Sequence, residues 1–173
     1  MNAAEGIELE LCYGCGASFP KNNGQTHHYI GASPGCWSIF GEVLTREYED
    51  YNYPPIHHLT VDTFAAQHPG KPSKQSIKSV AIHLISIHLM LVHNYEAKQV
   101  TKVMSRATQV SQKFIWLEPP ASLGELTILD VYQANTLKEH TDLVYIWAHS
   151  VWRAWEPHHQ QVRNWVNWQD ENI

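Results

Sequence analysis

From Gln75 to His93 the chain is apolar on almost every side of a helix. Val80, Ile82, Leu84, Ile85, Ile87, Leu89, Leu91 and Val92 leave only a narrow polar stripe, Ser79, His83 and Ser86, at spacings of four and three. A helix apolar all round has to be enclosed by other elements. The stripe inside it needs hydrogen-bond partners on whatever encloses it. Because His83, Ser86 and His88 interrupt the run, no window reaches the roughly 18 uninterrupted apolar residues of a membrane span. No membrane association is expected.

The enclosing elements are legible on either side. Trp37, Phe40, Val43 with Leu44, Glu47 with Tyr48, and Tyr51 recur at three and four, which predicts an amphipathic helix over 36–50. Pro55 suits the first turn of a second helix, 56–67. That helix must stop near His68, because the residue before Pro69 is pushed out of the helical region. Val100, Val103, Met104, Ala107 and Val110 give a narrower stripe over 98–113, and 114–117 reads as extended before Pro119-Pro120. Thr127 and Asp130 have the spacing of a capping pair. Leu137, Val144, Trp147, Val151 and Trp155 track one face of a helix over 137–156. Pro157 restarts a last helix, 158–168, with a fraying acidic tail over 169–173. Trp147, Trp152, Trp155, Trp165 and Trp168 are expected in the core. Upstream, Gly and Pro residues from Gly14 to Gly35 break any long element, and Leu9 to Tyr13 allows only a short strand. At 173 residues the chain is expected to be a single domain, 1–173. The expected fold is mainly α: a Cys-rich loop arm over 1–35 docked on a bundle of four or more helices over 36–168.

The chemistry concentrates in cysteine and histidine. There are three cysteines, too few for a disulfide framework, and 12 histidines, as many as Lys and Arg combined. Cys12-Tyr13-Gly14-Cys15 followed by Pro34-Gly35-Cys36 has the form of two zinc knuckles. A redox pair of Cys12 and Cys15 would need a helix directly after it, and Gly16 to Pro20 provides none. A structural zinc site needs a fourth ligand, which must be a histidine; His27, His28, His57, His58 and His68 are the candidates. His58 and Asp62 share a helix face. His83 lies on the buried stripe, and His159 shares a face with Arg163. If His159 turns inward it can meet His83 and Asp62 in a two-His, one-carboxylate set suited to a second divalent metal. The net charge of -5 argues against a nucleic-acid backbone binder. Met1 to Leu11 lacks a basic segment followed by an apolar run, so a cytoplasmic location is expected.

These residues carry a resemblance. Cys12-x-x-Cys15, Pro34-Gly35-Cys36, His57-x-Leu59-Thr60-Val61-Asp62, Gln67-His68-Pro69-Gly70, Ser79-Val80-Ala81-x-His83-Leu84 and Trp147-Ala148-x-x-Val151-Trp152-x-x-Trp155 resemble a bacterial family of small proteins, domain-of-unknown-function family 5946. The resemblance implies no activity. It implies that His57, Asp62, His68, His83 and His159 match pattern positions, and it favours His57 as the fourth zinc ligand, with His58 as the alternate. Two functions follow as expectations. One is a zinc-stabilised binding or regulatory module for a small molecule or protein. The other is a metal-dependent hydrolase or group transferase with Asp62, His68, His83 and His159 in a pocket between helices.

Overall fold

The computed structural model describes residues 7–110 and 113–170. An antiparallel hairpin, β1 (Leu9–Leu11) and β2 (Ser18–Pro20), pairs Leu9 with Pro20 and Leu11 with Ser18. Among the described residues seven helices follow: α1 (Pro34–Glu49), α2 (His57–Gln67), α3 (Lys74–Val92), α4 (Ala97–Gln109), α5 (Ile128–Tyr132), α6 (Leu137–Ala154) and α7 (His159–Asp170), with a 3-10 turn at Glu156–His158 before the last. The fold is mainly α, with the hairpin at one end.

The helix apolar all round is central, as its composition requires. α3 packs on α2, α4, α6 and α7. It is the one described helix long and apolar enough to cross a membrane, and 56% of its most apolar window is buried within the fold. Three tryptophans form the wall opposite: Trp147, Trp155 and Trp165 are completely buried, Trp152 is nearly so, and Trp168 is partly buried against them. Two of the polar edges are engaged. The Trp147 indole N–H donates to Gln67 Oε1 at 3.0 Å, and that of Trp155 to the Ala66 carbonyl at 3.1 Å. The Gln67 amide donates to the Leu123 and Leu126 carbonyls. The end of α2 is thereby fixed to α6 and to the loop before α5.

Side-chain caps set most helix starts. Ser33 caps α1 with Pro34 in its first turn, so α1 begins two residues before the expected 36. Ser73 caps α3 and Thr136 caps α6. Thr127 and Asp130 form the expected capping box, around a helix of only five residues. The hairpin's second strand was not expected, since its residues sit among loop-forming glycines and a proline. Residues 114–117 join no sheet. Of the acidic tail, 171–173 lie outside the described residues.

Candidate metal centre

Three local devices bring four metal-binding side chains together. The first is the turn after β1. The Cys12 N–H donates to the Ala17 carbonyl and the Gly16 N–H to the Cys12 carbonyl, both at 2.8 Å, and Gly16 takes a left-handed φ of 75°. The chain reverses there and Cys12 and Cys15 face one side. The second is the start of α1. Cys36 lies in its first turn, its N–H bound to the Ser33 hydroxyl at 3.3 Å, while the Ser33 N–H donates to Cys12 Sγ at 3.4 Å. The third is the end of α2. Pro69 stops the helix, and His68 leaves the helical region as its C-cap with φ -128° and ψ 62°. Gly70 then turns with φ 71° and lies against Gly31: a Cβ on Gly31 would lie 2.8 Å from the Gly70 backbone, and one on Gly70 would lie 2.5 Å from the Tyr29 carbonyl oxygen. The Gly31 N–H donates to the His68 carbonyl at 2.9 Å, which joins the arm to the end of α2.

The result is a cluster of Cys12, Cys15, Cys36 and His68, whose ligand atoms all lie within 4.8 Å of one another. Cys15 Sγ is 4.0 Å from Cys36 Sγ, and Cys36 Sγ is 3.4 Å from His68 Nε2. A tetrahedral zinc with ordinary Zn–S and Zn–N bonds would place such pairs at about 3.8 Å and about 3.6 Å. His68 Nδ1 donates to the Phe64 carbonyl at 2.7 Å, which leaves the Nε2 lone pair facing the sulfurs. A backbone carbonyl on the far nitrogen is the usual support of a metal-bound imidazole. Gly14 makes space for the ring, since a Cβ there would lie 2.4 Å from His68 Cδ2. Hydrogen bonds from Cys15 and Cys36 hold the Cys12 thiol far below the usual range. The bond to Cys12 pushes Cys15 up to about 12, and the bonds to Cys12 and Cys15 drive Cys36 up as well.

The fourth member is therefore His68, not His57 or His58. The two ends of α2 lie about 16 Å apart at the ordinary helical rise, and His57 is at the wrong one. Its ring is buried beside α1, with Nδ1 2.6 Å from Glu47 Oε2 and Nε2 3.2 Å from the Tyr48 hydroxyl. Glu47 is completely buried. Its Oε1 accepts from Thr60 and from His140 Nε2, each at 2.6 Å. Burial opposes its ionisation, but the bonds from His140, His57 and Thr60 outweigh it and hold the carboxyl below its ordinary range. His58 is half-buried beside the His57 ring.

The other expected site residues separate into two places. Asp62 and His83 do meet across α2 and α3: His83 Nδ1 lies 2.7 Å from Asp62 Oδ1, and the Ser86 hydroxyl donates to Asp62 Oδ2. Two of the three residues in the polar stripe of the central helix, His83 and Ser86, thus find their partner in Asp62. His68 and His159 do not join them. His159 stacks on Trp152 with ring centroids 3.7 Å apart, and its Nε2 donates to the Trp152 carbonyl at 2.8 Å. It lies instead near His88, whose Nε2 is 3.2 Å from His93 Nε2. Burial, then the neighbouring His93, Arg163 and His159, lower the His88 pKa to about 4. The expected convergence of Asp62, His83 and His159 is not formed, because Pro157 and the 3-10 turn direct His159 back over α6.

Sequence reasoning missed Glu47 and His140 as a pair with His57. Glu47 sits on the apolar face of its helix, which was the available signal for a buried, partnered carboxylate.

A helical bundle with a Cys3His cluster tying its N-terminal arm to two helices is thus the class of protein that fold and site define. Residues 10–156 match the family described as Family of unknown function (DUF5946), and the chain belongs to that family. No curated protein and no solved structure matches it.

Proposed function

We propose that the chain is a zinc-stabilised binding module in which Cys12, Cys15, Cys36 and His68 hold one structural zinc. The observation that carries this reading is the closeness of the four ligand atoms, all within 4.8 Å of one another, with His68 presenting Nε2. Three of the four residues are buried and Cys15 is half-buried. A closed site of this kind stabilises a loop-rich arm that has little core of its own. Three free thiols in one cluster suit a reducing compartment, and the cytoplasm is the proposed location. The partner is a small molecule or a protein, not a nucleic acid or a membrane.

Elemental analysis of the purified chain tests the reading. One zinc per chain is expected, together with the visible absorption of tetrahedral thiolate ligation after cobalt substitution. A chain that purifies without metal and takes up neither zinc nor cobalt would defeat it. A second reading, a hydrolase or group transferase, is favoured by the Asp62–His83 pair, in which a carboxylate orients an imidazole as a general base requires. Loss of a hydrolytic activity in a folded His83→Ala variant would support it.

A further inference from the structure

Beside the metal centre lies a cleft of about 630 Å³, within the range that small-molecule sites occupy. Its chemistry is one-sided. Lys71, His27 and His28 line it and no carboxylate does, although the chain carries 17 acidic residues and a net charge of -5. Lys71 forms no ion pair among the described residues. A basic recess in an acidic protein raises the local concentration of anions.

The walls add a shape requirement. His27 and His28 are stacked, with centroids 4.9 Å apart and planes 16° apart. Tyr29 meets both edge-on. Tyr13 completes the lining, and its hydroxyl donates to the Ala32 carbonyl at 2.7 Å, so an exposed aromatic ring is held in one place. Held rings present flat apolar faces at little entropic cost, which selects planar ligands. Burial, and then the adjacent His28, lower the His27 pKa; His27 serves as a ring wall while Lys71 supplies the charge.

We infer that this cleft, lined by Tyr13, His27, His28, Tyr29 and Lys71, binds a small planar aromatic molecule carrying an anionic group, a phosphate or a carboxylate. The inference rests on the zinc reading and deepens it. Tyr13 stands between two of the sulfur ligands, Gly31 and Gly70 both line the cleft, and the Gly31 N–H is bound to the His68 carbonyl. The metal therefore holds the cleft walls in register.

Isothermal titration calorimetry on the zinc-loaded full chain tests this with phenyl phosphate, phenylacetate, phenol and inorganic phosphate. At least one of the two aromatic anions is expected to bind about tenfold more tightly than either phenol or inorganic phosphate, and their order distinguishes phosphate from carboxylate. Lys71→Met should weaken that binding about threefold to fivefold, the scale of one exposed ion pair. His28→Gln, at an exposed position, should weaken it while circular dichroism stays unchanged. No saturable binding at millimolar concentration would overturn the inference. So would equal binding of inorganic phosphate and phenyl phosphate with no preference for the carboxylate, or an affinity unmoved by Lys71→Met. Zinc content measured on the same sample separates the two readings: a chain with one zinc and no ligand sinks the cleft and leaves the metal centre standing.

Discussion

Glu47→Leu isolates the energetic weight of the buried carboxylate. The substitution keeps the approximate volume and deletes every acceptor. In the parent chain Oε2 faces His57, and Oε1 accepts from both Thr60 and His140. All four residues are buried, so water cannot replace the lost bonds without opening the fold. Each orphaned buried donor costs about 1–3 kcal/mol, and breaking a buried ion pair from one side costs about 3–5 kcal/mol. With three buried donors losing their acceptor, a loss of about 4 kcal/mol is the working value. For a chain of this size that lowers Tm by about 8–16 °C, measured by thermal circular dichroism at pH 7 in zinc-saturated buffer. The pH dependence has a definite sign. The folded-state pKa of Glu47 lies below its ordinary value near 4.5. Its contribution is therefore present above that value and lost as pH falls through the folded-state pKa. The gap between parent and variant should narrow on going from pH 7 towards pH 3. A Tm drop under about 2 °C at pH 7, or a gap unchanged across that range, would refute the reasoning, since about 1 kcal/mol or less is what a solvated group contributes.

His68→Ala should abolish stoichiometric zinc in elemental analysis, whereas His57→Ala should retain one zinc per chain and instead lose stability through Glu47. Gly14→Ala places a methyl group against the His68 ring and should weaken zinc in a chelator competition by about tenfold or more, the lower end of what disturbing a ligand's support costs. Asp62→Asn removes the charged acceptor shared by His83 and Ser86 and should cost about 1–3 kcal/mol in urea unfolding. Trp147→Phe leaves the buried Gln67 carbonyl oxygen without its donor and should cost at least about 1 kcal/mol by the same measurement.

The helical architecture was legible because helix periodicity is a local property, and the all-apolar run at 75–93 admitted only a central position. The three cysteines were legible as a cluster for a similar reason: Cys12-x-x-Cys15 and Pro34-Gly35-Cys36 each form a knuckle from neighbouring residues. The fourth member of the cluster was not. His57 and His68 sit at opposite ends of the same short helix, and the arm's point of contact with α2 is decided by long-range packing. That packing is the approach of Gly31 to Gly70 and the space Gly14 leaves for a ring. The sequence did contain a pointer, since His68 precedes a proline and must leave the helix, which frees its side chain to turn towards the arm. The Asp62–His83 pair was half legible. Ser79, His83 and Ser86 announced a polar stripe needing a partner, and α2 packing on α3 supplied Asp62. The place of His159 depends on the turn between α6 and α7, and helical spacing carries no information about that turn.

The His68 hinge has a consequence for how the protein opens. Its ring belongs to the cysteine cluster, its carbonyl holds Gly31, and Gln67 and Ala66 just before it hold two tryptophans of the far wall. With metal bound, the arm cannot detach without disturbing the last turn of α2, and through it the helices behind. Amide hydrogen exchange in residues 12–36 should then approach the slow rate of global unfolding, despite the arm's sparse secondary structure. Chelation should split that single cooperative unit in two, leaving the arm to exchange by local opening while the bundle remains protected.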